Sequence, residues 1–365
     1  MSSCDFPLFW CIVSLSGLTF RVHIKMEETS VSQQIQSWLF WPTVIVASGA
    51  SIVLVLLYKY QNNMLYHPAI PGMPLRPDDN PEGFRHPGER NVPFEDVMIE
   101  TEDGEKVHSW LMLQPKNSEK VPTLIYFHGN AGNMGFRLEN SSKMFRMGIN
   151  VLAMDYRGYG KSTGTPTELG LNLDADAVLQ WVLKHPSLQG SPIVLFGRSL
   201  GGAVCVSLAH RYPDKISAIV VENTFLSIAK MVDVLMPAVA FAKNLVLDIG
   251  WDSYSLISSL KCSMLFISGD SDELVPPFHM KQLYEKATSS VFKDFYSVSG
   301  GTHNDSYIVA GARYYERLKA FLFRDEITKG LCFAKHKDGS SGEAVDAKFG
   351  NVAIPTMQKD FSVKG

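Results

Sequence analysis

The sequence predicts an α/β fold: a mostly parallel sheet with helices on both faces. Two observations predict it. Short, wholly apolar runs recur along the chain, and segments of helical length and amphipathic pattern separate them. A third refines it. The first two strand-like segments are joined by a tight Asp103-Gly104 turn, so the sheet opens with an antiparallel pair and is mixed.

The elements follow in order. "DVMIET" and "VHSWLML" form the opening pair. "PTLIYF" is a short apolar strand, "RLENSSKMFRMG" a helix, and "INVLAMD" a strand. Glu168 to Lys184 is a long helix, and "PIVLF" a strand that runs into a helix from about Ser199 to Arg211. "ISAIVVEN" and "SMLFISG" are strands, and a helix lies near His279 to Ala287. "DFYSVSG" is the last strand, with a closing helix from about Asp305 to Phe323. Residues 224–261 break the rhythm, being too long for one crossover, and read as a small helical lid insertion.

The α/β region spans 92–325, preceded by a Pro- and Gly-rich linker at 59–91 and followed by a polar, disordered tail at 326–365. Ahead of the linker, Trp38 to Tyr58 carries no charge. A bilayer core needs about 20 helical residues, and this run has aromatic residues at both ends, so it reads as a transmembrane helix. An earlier apolar run, Phe6 to Phe20, has three readings: a marginal span, an atypical signal, or sequence upstream of the true start at Met26, the last being favoured. Residues 1–37 are therefore set apart.

The net charge of −3 and the lack of a basic stripe exclude a nucleic-acid partner. Five cysteines without a CxxC spacing give neither a disulfide framework nor a zinc site. The partner expected from the apolar run is the membrane bilayer.

The chemistry centres on "FGRSLGG", residues 196–202, where Ser199 ends a strand and opens a helix. A nucleophile at such a turn sits in strained backbone, and its neighbours must lack bulk, as Gly197 and Gly201 do. A serine hydroxyl needs a base, and the base an orienting acid. His303, in "GGTHND" after the last strand, is the expected base. The acid comes from "DSDELVPP": Asp270, Asp272 and Glu273 are candidates, with Asp272 chosen and Asp270 the runner-up. The oxyanion hole takes the backbone N–H of Leu200, after the nucleophile, and of Asn130, in "YFHGNAGN" after an early strand. Arg198 reads as a surface or structural residue, with contact to an acidic leaving group as its other use.

"FHGNAGN", "DYRGYGKS", "FGRSLGG", "ENTF", "DELVPPFHM" and "GGTHND" occur in one order. Together they resemble the α/β-hydrolase superfamily. Within it the chain is similar to the bud-emergence family of single-span, membrane-anchored hydrolases, of the α/β-hydrolase domain-containing thirteen type. The likeness covers roughly residues 60 to 325. It implies Ser199, Asp272 and His303 as the triad, because the family's G-x-x-D-x-x-V-P pattern falls on Gly269, Asp272, Val275 and Pro276. The expected activity is hydrolysis of an acyl ester or thioester in a small molecule or a lipidated protein, with Met236, Phe241 and Leu245 of the insertion available to line an acyl channel, and with no cofactor and no metal. A serine peptidase and a non-catalytic membrane scaffold are the rival functions. The sequon Asn304-Asp305-Ser306 adjoins the base, and a glycan there would obstruct it, which favours a cytosolic catalytic domain.

Overall fold

A computed structural model of the chain describes residues 11–15, 18–22 and 31–329. The fold divides into two units, Met1–Leu65 with Val232–Gly250, and Tyr66–Met231 with Trp251–Gly365.

In the first unit, β1 (Cys11–Leu15) and β2 (Leu18–Val22) pair antiparallel. The early apolar run is thus extended where it is described, and not a helical span. Helix α1 runs from Val31 to Leu65. Its portion from Trp38 to Leu65 is long and apolar enough to cross a membrane. At 1.5 Å per residue those 28 residues extend about 42 Å, against about 30 Å for a bilayer core. The helix therefore continues past the expected boundary at Tyr58, and the linker begins at Tyr66. Pro42 lies inside it without ending it, within the apolar run rather than in the first turn of the helix.

The second unit holds an eight-stranded sheet. Its strands are β3 (Glu95–Glu100), β4 (Lys106–Met112), β5 (Thr123–Phe127), β6 (Asn150–Met154), β7 (Ile193–Arg198), β8 (Ala218–Glu222), β9 (Ser263–Gly269) and β10 (Lys293–Val298). They lie in the order β10-β9-β8-β7-β5-β6-β4-β3. Strand β4 is antiparallel to both neighbours and the remaining pairs are parallel. Strands β5 to β9 are buried along their whole length, as a sheet covered on both faces requires.

The helices are α2 (Leu138–Arg146), α3 (Glu168–Lys184), α4 (Leu200–Arg211), α5 (Ile228–Leu235), α6 (Lys243–Val246), α7 (Ser253–Ile257), α8 (Phe278–Lys286), α9 (Ser306–Val309), α10 (Ala312–Leu322) and α11 (Asp325–Thr328). Alternate strand residues face opposite layers. Leu124, Tyr126, Val194, Phe196, Val220 and Leu265 share one core with Leu138 and Met144 of α2 and Leu318 and Phe321 of α10. Helices α3, α4, α7 and α8 pack in succession, in that order.

Four expectations need correction. The closing helix is broken: Gly311, at φ 55°, adopts a conformation that side-chain-bearing residues resist, and separates α9 from α10. The insertion is narrower than 224–261, because only Val232–Gly250 leaves the hydrolase unit. Trp251 rejoins it, its indole N–H donating to the Tyr66 hydroxyl at 2.9 Å. The ordered unit also passes residue 325, since α11 buries Ile327; the tail from residue 330 lies outside the described residues. Last, the "linker" after Tyr66 is a fitted strap. Asn80 and Asn133 exchange amide hydrogen bonds of 2.8 and 3.1 Å, and Pro77 and Pro87 are buried.

Candidate active site

The parallel register brings the C-terminal ends of the central strands into line. Phe127 stands opposite Gly197, Arg198 opposite Glu222, and Glu222 opposite Ile267. The loops after β5, β7, β8, β9 and β10 therefore emerge at one edge, where open parallel sheets bind ligands.

Ser199 sits between β7 and α4 with φ 55° and ψ −120°. That is a sparsely populated conformation for a residue with a side chain, and costs roughly 1–3 kcal/mol. The surroundings enforce it. The Ser199 N–H donates to the Glu222 carbonyl at 2.9 Å, and the Thr224 hydroxyl donates to the Ser199 carbonyl at 2.7 Å. The turn is so tight that a Cβ on Gly197 would meet the Gly201 carbonyl, and one on Gly201 the Phe127 carbonyl. This is the physical reason for both glycines.

His303 lies in the turn after β10 and Asp272 in the turn after β9. The His303 Nδ1 is 2.8 Å from Asp272 Oδ2, and both residues are buried. The other oxygen of Asp272 accepts the N–H groups of Leu274 and Val275 at 2.9 and 2.8 Å. Four residues of "DELV" thus fix the carboxylate so that one oxygen faces the imidazole. Asp270, the runner-up, is exposed and accepts the Gly300 N–H at 2.7 Å. That bond and the Ser271 hydroxyl hold its carboxyl below the usual range. Glu273 is exposed and meets the His303 backbone N–H only at 3.5 Å.

The expected oxyanion loop follows β5, beside β7. A Cβ on Gly129 would lie 3.7 Å from the Ser199 Cβ, so this loop reaches Ser199. Its path is set by two tyrosines of "DYRGYG": Tyr156 donates to the His128 carbonyl at 2.9 Å and Tyr159 to the Asn130 carbonyl at 2.8 Å. Leu200, the other expected donor, is the first residue of α4, where the helix dipole favours negative charge.

Three further residues join the loops. Arg198 is buried, and its Nη1 donates to the Asn304 carbonyl at 3.1 Å. It ties the residue before the serine to the residue after the histidine, and is structural rather than a surface group. Asn223, at φ 47°, receives the Gly269 N–H at 2.8 Å and donates to the carbonyls of Thr302 and His303 at 3.0 and 3.2 Å. One side chain thereby links the ends of β8 and β9 to the histidine turn. The sequence signal was an asparagine directly after a strand, a residue type that tolerates left-handed backbone. Glu222 is the third. Burial pushes its carboxyl up, against the pull of the Arg198 charge, and the Tyr314 hydroxyl donates to it at 2.7 Å.

His279, fully buried on α8, accepts the Leu226 N–H at 3.2 Å. Burial pushes its imidazole down to about 4, opposed by the Asp272 charge and aided by that of Lys230. The folded state therefore resists protonation that the unfolded chain accepts near 6.5. This contribution to stability is complete above pH 6.5 and is lost as pH falls toward 4. Replacing His279 by Gln should flatten the stability profile in that window by about 2–3 kcal/mol relative to the parent chain, read from unfolding midpoints at each pH.

Comparison with known proteins agrees with this architecture. A family described as serine aminopeptidase, S33, matches residues 118–256. Protein bem46 of Schizosaccharomyces pombe is 38% identical over 278 residues, which are 76% of this chain and 90% of that protein. An uncharacterized membrane protein of Saccharomyces cerevisiae is 35% identical over 275 residues, 74% of this chain and 92% of that one. Among solved structures, the Pyrococcus furiosus esterase Pf2001 superposes with a TM-score of 0.55 at 22% identity, covering 65% of this chain and 92% of that chain. The sheet order, the glycine-flanked elbow and the extent of the match to bem46 together place the chain in the bem46-like family of α/β-hydrolases.

Proposed function

We propose that the chain is a membrane-anchored serine hydrolase that cleaves an acyl ester or thioester through an acyl-enzyme. The observation that carries this is the 2.8 Å His303–Asp272 pair, on turns that Arg198 and Asn223 tie to the Ser199 elbow.

In the proposed reaction, His303 takes the Ser199 proton through its Nε2 as the serine oxygen attacks the carbonyl. The Nδ1 proton stays on the imidazole and is held by Asp272, which stabilises the imidazolium that forms. The N–H groups of Leu200 and Asn130 stabilise the oxyanion; removal of one such donor typically costs about 3 kcal/mol. The leaving alcohol or thiol departs with the proton from His303. Water then enters and gives a proton to His303 as it attacks the acyl carbon; the bond to the serine oxygen breaks, His303 returns that proton to Ser199, and the acid is released. Every step uses protein groups and water.

The acyl preference rests on two features. Helix α1 supports a membrane anchor, as does the word "membrane" in the name of the yeast relative. The insertion is also rich in apolar residues, which suits an acyl chain better than a sugar. A peptidase is the second reading, favoured by the aminopeptidase description of the matched family. Purified full-length protein assayed with a palmitoyl thioester, a short-chain ester and an aminoacyl amide separates them. Faster turnover of the ester or thioester is expected, and preference for the amide would reject the acyl reading. Placement of the hydrolase unit in the cytosol predicts its digestion by protease added to intact, cytosol-facing vesicles.

A further inference from the structure

The expectation that Phe241 and Leu245 line an acyl channel fails: their side chains are 87% and 82% exposed. These are the most exposed large apolar residues among the described residues. They do not stand singly. Leu235 and Ala238 are exposed in the same segment; Ala238 and Phe241 stand one turn apart in the 3-10 helix Pro237–Ala242, and Leu245 follows one turn on in α6. Ala242, Val246 and Ile249 are buried, while Asn244 and Asp248 are the exposed side chains of the segment that are polar. The usual arrangement, apolar within and polar without, gives way here to an outer side with large apolar residues of its own. A contiguous apolar face of this kind marks an interaction surface rather than the scattered exposure normal in soluble proteins.

The same unit indicates what covers it. The Gln61 side chain on α1 accepts the N–H groups of Asp248 and Ile249 at 2.8 and 3.1 Å and donates to the Val246 carbonyl at 3.4 Å. Helix α1 also packs on α6. Gln61 stands two positions beyond Lys59, the first charge after the uncharged run, and next to Tyr58 and Tyr60, the residue type that gathers at membrane interfaces. The end of the insertion is thus bonded to the very turn of α1 that leaves the apolar run. Lys243 is paired with Asp233, so the cation nearest this face does not stand alone in water.

We propose that Val232–Gly250 is a membrane-docking element, with Leu235, Ala238, Phe241 and Leu245 lodged in the acyl boundary of the bilayer that α1 spans. Interfacial helices bury their apolar face about 5–10 Å below the headgroups, a depth continuous with the end of such a span. The inference rests on the reading of α1 as a membrane anchor. It implies that the insertion is held at the lipid surface by two attachments, Gln61 and its own apolar face.

The test uses the full chain in phosphatidylcholine vesicles, with Cys4, Cys11 and Cys332 replaced by serine; Cys205 and Cys262 are buried. Single cysteines at Phe241→Cys, Leu245→Cys, Val53→Cys in the span, or Lys116→Cys on the hydrolase unit carry an environment-sensitive dye. Separate vesicles include lipids spin-labelled high on the acyl chain, which report on 241 and 245, or near its end, which report on 53 at the middle of the span. The dyes at 241 and 245 should shift to the blue and lose about half or more of their emission, while the dye at 116 is unaffected. If the dye at 53 is quenched and those at 241 and 245 are not, docking is wrong and the anchor stands. If none is quenched, the anchor reading fails and docking with it. Quenching at 241 and 245 without quenching at 53 would reject the span and, with it, docking beside the span as proposed. Energy transfer between copies without lipid quenching would assign the face to a second copy and overturn the proposal.

Discussion

Replacement of Ser199 by alanine is expected to lower kcat for an activated acyl ester about a million-fold, close to the uncatalysed rate enhanced only by binding and the oxyanion donors. The effect is large because no other hydroxyl occupies the elbow. The substitution changes one oxygen and leaves the backbone bonds to Glu222 and Thr224 in place. Stability should therefore move by less than about 0.5 kcal/mol. Loss of activity with an unchanged unfolding midpoint separates a chemical role from a structural one. Retention of more than about a hundredth of the activity would mean that another group attacks the carbonyl.

The second large effect belongs to Asp272. Its replacement by asparagine should lower kcat roughly ten-thousand-fold. The amide can hold the His303 ring but offers an N–H or a neutral oxygen where the charged carboxylate stood, so the imidazole is left in the wrong tautomer or its cation unsupported. The contrast is Asp270→Asn. Asp270 is exposed and serves the Gly300 turn, so activity should stay within about twofold. Assaying both variants with one ester discriminates the two carboxylates two residues apart. Equal losses would place the acid elsewhere.

That contrast also shows what the sequence made legible. The strands were readable because each is a short apolar run, and the helix at Glu168–Lys184 because of its length and pattern; the structure adds its cap, Thr167, whose side chain accepts the Gly170 N–H at 3.0 Å. The order of Ser199, Asp272 and His303 was readable because each follows a strand, and the structure brings the acid and the histidine into contact. The residues joining the loops were less visible. Asn223 acts through a single side chain reaching two other segments, and such long-range bonds leave no local pattern. Arg198 stayed open between a surface and a structural residue because its carbonyl partner, at Asn304, is 106 residues away. The break at Gly311 was lost because one glycine barely disturbs the helical period on either side. The insertion was misjudged for another reason. Its composition showed that it is apolar, but only the fold shows which of its faces is turned outward.

The central claim is that Ser199 is an activated nucleophile, and its most direct test is covalent capture. A fluorophosphonate probe forms a stable phosphonyl ester with a serine whose oxygen is activated by a neighbouring base. Incubation of the full-length protein with the probe, followed by mass mapping of the peptide that carries Ser199, should find a single adduct on that residue. The adduct should vanish in Ser199→Ala and in His303→Ala. An unlabelled parent protein, or labelling that persists in Ser199→Ala, would contradict the account.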